Sequence, residues 1–284
     1  MSPITHFVKA AGHEIHVAEW GRGNAETAIL WHGLARTGAD FEPLAAELAK
    51  EWRLLVPDTL GRGLSSLALE EGEYGFATYA AVAADVCALF GVNAMMWVGT
   101  SMGGALGIRL AAGPFAGRIT HLVVNDIGPE LPRPAVERIL AYASTPPVVD
   151  TMGELEAFLR AAYRPYGVLP EAQWRRMAVT SARRLPDGRL TLHYDPRMTR
   201  QFVNHPGDYD QWDAWRRVGC QTLVLRGEDS DLLLPAVADR MLDENPLAEL
   251  VEIGGVGHAP ALNVPEQIGV VAAFLRRPNP GAAR

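Results

Sequence analysis

A serine that could act as a nucleophile lies in the segment G-T-S-M-G-G, residues 99–104. The pattern predicts a buried strand at 94–98 before it and a helix at 102–112 after it. G-x-S-x-G between a strand and a helix is the nucleophile elbow, a strained turn that presents the serine hydroxyl above a parallel sheet. Glycines at positions 99 and 103 remove side chains that would collide there. Taken alone the motif also fits a helix N-cap, but this context predicts nucleophilic catalysis by Ser101.

A serine hydroxyl is a weak nucleophile at neutral pH and needs an adjacent base. Histidine suits that role because its pKa lies near the working pH. The chain has eight histidines, and only His258 lies in a glycine-rich loop after the last predicted strand. Such a loop can reach over the sheet edge toward Ser101, so we predict that His258 is the catalytic base.

The base requires a carboxylate that fixes its tautomer and stabilises the imidazolium. Three aspartates in the loops after later strands are candidates: Asp126 after one strand, and Asp229 and Asp231 after the next. We favour Asp231, because it lies deeper in the turn and leads into the apolar run Leu232–Leu234. The other two remain alternatives, and any of the three could instead cap a loop.

An acyl-transfer site also needs donors for the oxyanion. The backbone amide of Met102, at the start of the elbow helix, is one candidate. The amide of Leu34, in the loop after His32-Gly33, is the other. Backbone donors leave little trace in a sequence, so these two assignments depend on position alone.

A sheet must position these residues, and the order of the predicted strands and helices indicates the type of sheet. A hairpin is predicted at the N-terminus, followed by strands that alternate with helices. This pattern predicts an α/β fold with a mostly parallel central sheet, helices on both faces and functional groups at the carboxyl ends of the strands. The alternation stops from Pro129 and resumes at a buried strand that begins at Gln221. The interruption predicts an inserted helical cap over residues 131–205, a core made of residues 1–130 and 206–277, and a disordered tail at 278–284.

The chain resembles the α/β-hydrolase-fold serine hydrolases, of the esterase and lactonase kind, over nearly its whole length. The resemblance is carried by motifs that are individually weak and jointly specific: H-G at 32–33, D-x-x-G-R-G-L-S at 58–65, the elbow, R-G at 226–227 with Asp231, and G-H at 257–258. It implies a Ser101–Asp231–His258 triad, an acyl-enzyme route, no cofactor and a helical cap. The turn at 58–65 resembles one that supports the site in this family rather than reacting.

The composition of the chain limits the classes of partner that it could bind. A net charge of −7 argues against nucleic acid, and no apolar run is long enough for a membrane span. The start of the chain lacks the features of a signal peptide, which predicts a cytoplasmic protein. His13 and His16 are taken as exposed strand residues without a third ligand, so no metal site is predicted. The predicted cap carries four more arginines than acidic residues, and these could favour an anionic substrate.

Fold does not determine the substrate. The predicted partner is a small-molecule ester or lactone. One alternative is a carbon–carbon hydrolase acting on a diketone-like acid, although the loop lacks the Gly-Pro-Gly pattern associated with that group. Another is a non-hydrolytic binding protein on the same scaffold, which an intact triad argues against.

Overall fold

A computed structural model describes residues 2–278, and the predicted tail beyond Pro278 lies outside them. The described chain forms an eight-stranded sheet in the order β1-β2-β4-β3-β5-β6-β9-β10. The pairs β1–β2 and β2–β4 are antiparallel and the others are parallel. The strands, including a separate pair β7–β8, are β1 Ile4–Ala10, β2 His13–Trp20, β3 Thr27–Trp31, β4 Arg53–Pro57, β5 Met95–Thr100, β6 Ile119–Asn125, β7 Ala182–Arg184, β8 Leu190–Leu192, β9 Gln221–Gly227 and β10 Ala248–Ile253.

Helices cover both faces of the sheet, as the α/β prediction requires. They are α1 Glu42–Leu48, α2 Phe76–Leu89, α3 Met102–Ala111, α4 Arg133–Ala143, α5 Met152–Ala162, α6 Glu171–Ser181, α7 Gln201–Asn204, α8 Trp212–Arg217, α9 Pro235–Glu244 and α10 Pro265–Leu275. Residues on α2, α3 and α9 share one buried apolar cluster, and residues on α1 and α10 belong to another. Successive strand residues alternate between the two clusters, as the period of two demands: Ile29 and Trp31 face one, and Ala28 and Leu30 face the other.

The chain between β6 and β9 adds no strand to the large sheet within the described residues. It holds α4, α5, α6, α7 and α8, with the short antiparallel pair β7–β8. Within this segment the sequence pattern predicts a helix over 171–183 and a strand over 190–194. The helix ends earlier, at Ser181, because residues 182–184 turn into extended backbone and pair with 190–192. The cap therefore contains a strand that periodicity did not predict.

Within the described residues, no helix combines the length and the apolar character that a membrane span requires. The same residues include no group of three His, Cys, Asp or Glu side chains that could hold a metal ion. His13 and His16, predicted to be exposed, are not. His13 is buried, and the half-buried His16 lies with its Nδ1 2.8 Å from Oδ2 of Asp58.

Candidate active site

Ser101 occupies a sharp turn between β5 and α3. Its backbone has φ 52° and ψ −117°, a strained conformation for a residue with a side chain. The surrounding glycines explain why the turn can form. A Cβ on Gly99 would overlap the backbone of Gly103, and a Cβ on Gly103 would overlap the carbonyl of Trp31. The amide of Ser101 donates to the carbonyl of Asn125 at 2.8 Å, which fastens the turn to the neighbouring strand β6.

His258 reaches the site because its loop folds back over the end of β9. A Cβ on Gly227 would overlap the backbone of Gly257, so the glycine in the R-G motif permits this crossing. The loop is held by Asn125, whose Nδ2 donates to the carbonyl of Pro260 at 2.8 Å and to Oγ1 of Thr100 at 3.1 Å. The imidazole is thereby brought to the end of β5.

The carboxylate that contacts the imidazole is Asp126. Its Oδ2 lies 2.8 Å from Nδ1 of His258. The same oxygen accepts from Oγ of Ser230 at 2.7 Å, and Oδ1 accepts from the amide of Gly227 at 2.9 Å. The residue is fully buried and has a φ of 58°, a left-handed conformation that aspartate adopts more readily than most residues. With Nδ1 bonded to Asp126, Nε2 is the nitrogen available to take a proton from serine.

The prediction that Asp231 holds the imidazole is therefore wrong. In the loop after β9 it is Ser230 that turns inward, where its hydroxyl also accepts from the amides of Leu232 and Leu233. Asp231 turns outward and forms a two-pronged ion pair with Arg138 of α4, at 2.6 and 2.7 Å. Asp229, the second alternative, is exposed. Asp126, the third, is the one that the fold brings to His258.

The two predicted oxyanion donors belong to segments that lie next to Ser101. Met102 begins α3, where a first-turn amide has no partner within its own helix. The loop of Leu34 lies beside the elbow, since a Cβ on Gly33 would be 3.6 Å from Cβ of Ser101. Within residues 2–278 neither the Met102 nor the Leu34 amide has a protein acceptor, so both are available for a ligand.

A buried arginine joins these two donor segments. Arg62 is fully buried, and its guanidinium donates to the carbonyl of Leu34 at 3.0 Å and to the sulfur of Met102 at 3.6 Å. It also donates to the hydroxyl of Tyr79 at 2.8 Å. The turn at 58–65 thus supports the site through Arg62, a residue whose role the motif alone did not reveal.

His32 holds the Leu34 loop from the other side. Its Nδ1 donates to the carbonyl of Gly33 at 2.7 Å, and its Nε2 accepts from the amide of Thr59 at 2.9 Å. Burial lowers the pKa of His32 to about 4. The imidazole is therefore neutral at physiological pH, which is the form that can donate from one nitrogen and accept at the other.

Ser101 and His258 line one narrow cavity, of about 30 Å³. That volume has room for only about two water molecules. Cap residues close it, including Arg138, Ile139, Tyr142 and Tyr163. Within residues 2–278 no hydrogen bond joins Oγ of Ser101 to the imidazole, a contact that in hydrolases often forms only in the substrate complex.

The sequence carried a weak signal for Asp126 and almost none for two other residues. Asp126 directly follows a buried strand, and β6 is the immediate neighbour of the serine strand, whereas β9 lies one strand further. Sheet order is not readable from local pattern, so this proximity was hidden. Ser230 has the pattern of an ordinary loop serine, and Arg138 is one of the several arginines spread over the predicted cap.

Comparison with known proteins agrees with this architecture. A sequence model described as the alpha/beta hydrolase family matches residues 28–269. The 3-hydroxybutyrate-oligomer hydrolase of Cupriavidus necator is 33% identical over 288 aligned positions, covering 96% of this chain and 98% of that protein. The 2-(acetamidomethylene)succinate hydrolase of Mesorhizobium japonicum is 23% identical and covers 84% of this chain and 83% of its own length.

Solved structures share the fold. The crystal structure of an alpha/beta hydrolase from Novosphingobium aromaticivorans superposes with a TM-score of 0.87 at 31% identity, covering 98% of this chain and 99% of that one. A structure of E-2-(acetamidomethylene)succinate hydrolase superposes with a TM-score of 0.85 at 22% identity, covering 97% and 100%.

Proposed function

The chain belongs to the alpha/beta hydrolase family and is a hydrolase of that fold, and we propose that it cleaves carboxylic esters through an acyl-enzyme formed on Ser101. The observation that carries the proposal is the buried Asp126 carboxylate on Nδ1 of His258, together with the cavity that His258 and Ser101 both line. That arrangement supplies a nucleophile, an oriented base and a counter-charge for the imidazolium.

In the proposed reaction, Oγ of Ser101 attacks the ester carbonyl carbon and its proton passes to Nε2 of His258. The carbonyl oxygen becomes an oxyanion that the amides of Leu34 and Met102 stabilise, each by about 3–4 kcal/mol in such sites. The intermediate collapses as the imidazolium protonates the leaving alcohol. Water then attacks the acyl-enzyme by the same route and frees the serine.

The substrates that we propose are oligoesters of a short hydroxy acid, with lactones as the cyclic equivalent. The 33% identical relative is named for hydrolysis of 3-hydroxybutyrate oligomers and matches nearly the whole chain. The lining of the cavity matches such a ligand in its chemistry, because aliphatic and tyrosine side chains surround a small set of polar groups. At about 30 Å³ the cavity must widen to admit the ligand.

The test is a comparison of wild type with Ser101→Ala on 4-nitrophenyl butyrate and on a 3-hydroxybutyrate dimer. We expect wild-type turnover, and a loss of at least about 10⁴-fold in kcat for the variant with an unchanged far-UV circular dichroism spectrum. Wild type should also gain the mass of one fluorophosphonate adduct, and the variant none. Ser144→Ala, at an exposed cap serine, is the matched control and should behave as wild type.

The panel includes a 1,3-diketone acid to separate carbon–carbon cleavage from ester cleavage. Turnover of the diketone without turnover of either ester would refute the ester assignment. Equal ester turnover by wild type and Ser101→Ala would refute the nucleophile.

A further inference from the structure

The cap helix α4 places one arginine at the border of two cavities. Arg138 lines the narrow cavity of Ser101 and His258, and it also lines a wider outer cavity of about 520 Å³. The outer cavity is bounded by Tyr142, Arg164, Asp229 and Gly257, among others. Tyr142 and Ala162 also line both cavities, so Arg138 lies between the cavity of the serine and the outer cavity.

The partner of Arg138 is a carboxylate that can be replaced. Asp231 binds the guanidinium through two parallel hydrogen bonds, the geometry by which arginine recognises carboxylates. The Asp231 side chain is 45% exposed, so it can turn into solvent when another carboxylate takes its place. Arg36, the other arginine in the narrow cavity, differs. It is almost fully buried, and Asp40 four residues along holds it with two bonds.

We infer that Arg138 binds the free carboxylate of the substrate's leaving hydroxy acid and that Asp231 is its resident counter-ion. This rests on the proposed ester hydrolysis. The side of the substrate follows from chemistry: the imidazolium of His258 must protonate the leaving alkoxide, so the alcohol part lies beside His258. His258 and Arg138 line the same cavity.

The inference determines which end of the oligomer is released. The ester bond broken is the one that joins the carboxyl-terminal hydroxy acid to the rest of the oligomer. The alkoxide of that unit takes the proton from Nε2 of His258 and leaves as a free hydroxy acid, with its carboxylate on Arg138. The hydroxyl-ended remainder stays on Ser101 as the acyl group until water releases it.

Two matched substrate pairs test which side carries the recognised charge. On the leaving side, 3-acetoxybutyrate is compared with 3-acetoxybutyramide, which has the same shape and no charge. On the acyl side, mono-4-nitrophenyl adipate is compared with 4-nitrophenyl hexanoate. We expect Arg138→Gln to lower kcat/KM for 3-acetoxybutyrate by at least about tenfold. The other three substrates should change by less than about twofold.

Two further variants sharpen the test. Asp231→Asn removes the competing carboxylate and should raise kcat/KM for 3-acetoxybutyrate by about threefold, through a lower KM. Arg133→Gln is the matched control. Arg133 lies on the same helix, its side chain is 89% exposed and it pairs with Glu137, so its loss should leave both pairs unchanged.

Equal losses on all four substrates in Arg138→Gln would overturn the inference, because the ion pair would then only fasten the cap to the core. A loss confined to the adipate ester would overturn it as well, since the charge would be read on the acyl side. Calorimetric titration of Ser101→Ala with 3-hydroxybutyrate needs no turnover and separates this inference from the proposed function. Arg138→Gln in that background should weaken binding at least about tenfold, and unchanged affinity would refute the inference even if every ester is hydrolysed.

Discussion

The loops that follow β6 and β9 each carry an aspartate that could serve as the catalytic acid, and the two side chains have opposite environments. Asp126, after β6, is completely buried and accepts hydrogen bonds from a side-chain hydroxyl and a backbone amide besides its contact with His258. Asp231, after β9, is half exposed and pairs with Arg138 of the cap.

The comparison distinguishes a carboxylate that fixes the orientation of an imidazole from one that only forms an exposed ion pair. A carboxylate that positions an imidazole must itself be immobile, which several donors and complete burial achieve. A half-exposed carboxylate that pairs with a long arginine side chain is mobile, and solvent screens its charge. Ser230 and Asp231 are adjacent, yet Ser230 supports the buried network and Asp231 lies at the surface, paired with Arg138 of the cap.

The sharpest way to break the comparison is to neutralise each aspartate in turn. Asp126→Asn should lower kcat on 4-nitrophenyl butyrate by about 10⁴-fold, because the imidazole loses its correct tautomer and its counter-charge. That loss corresponds to about 5.5 kcal/mol of transition-state stabilisation. Asp231→Asn should change kcat on this uncharged ester by less than about threefold. Steady-state kinetics on both variants, with thermal melts to confirm folding, makes the measurement.

A steeper loss in Asp231→Asn than in Asp126→Asn would reverse the assignment of the two loops. Equal losses would mean that neither carboxylate alone orients the base.

The same contrast explains what could be predicted from the sequence. The elbow, the glycine-rich His258 loop and the α/β fold rest on local patterns, namely strand–turn–helix punctuation and apolar periodicity, and the family match and structural neighbours confirm the fold. The identity of the acid depends on which strands are neighbours and on which way a loop side chain turns. Both are tertiary facts: β6 lies beside β5, and the turn after β9 points Ser230 inward and Asp231 outward. Arg62 and Arg138 were unassigned for the same reason.

The buried His32 makes the free energy of unfolding depend on pH. His32 is neutral in the folded protein because burial lowers its pKa from 6.5 to about 4. As pH falls from 6.5 toward 4, the unfolded chain binds a proton that the folded chain does not, so the stability that His32 contributes is full above 6.5 and is lost across that window. The loss should be about 3 kcal/mol. Urea unfolding of wild type and His32→Gln at several pH values measures it.

The pH dependence of unfolding should be shallower in His32→Gln across this window. Parallel curves for the two proteins would show that His32 is protonated in the folded state, against its buried hydrogen bonds to Gly33 and Thr59.

Ser230 tests how much the support of Asp126 contributes. Ser230→Ala removes a donor from the Asp126 carboxylate and an acceptor from the amides of Leu232 and Leu233. We expect a loss of about 1–2 kcal/mol in the free energy of unfolding and a fall of about tenfold in kcat. Ser230→Thr keeps the hydroxyl and should recover part of the activity. Full activity in the alanine variant would mean that Gly227 and His258 hold the carboxylate without help.

The smallest effect belongs to the exposed pair. A double-mutant cycle of Asp231→Asn and Arg138→Gln should give a coupling energy of about 0–1 kcal/mol for unfolding, because both side chains are partly exposed and the arginine is long and flexible. Raising the salt concentration should reduce it further. Urea unfolding of the four proteins provides the value. A coupling energy well above 1 kcal/mol that persists in high salt would mean that the ion pair stabilises the contact between cap and core. The loops of Asp126 and Asp231 would then both have a structural role, and the contrast between them would be lost.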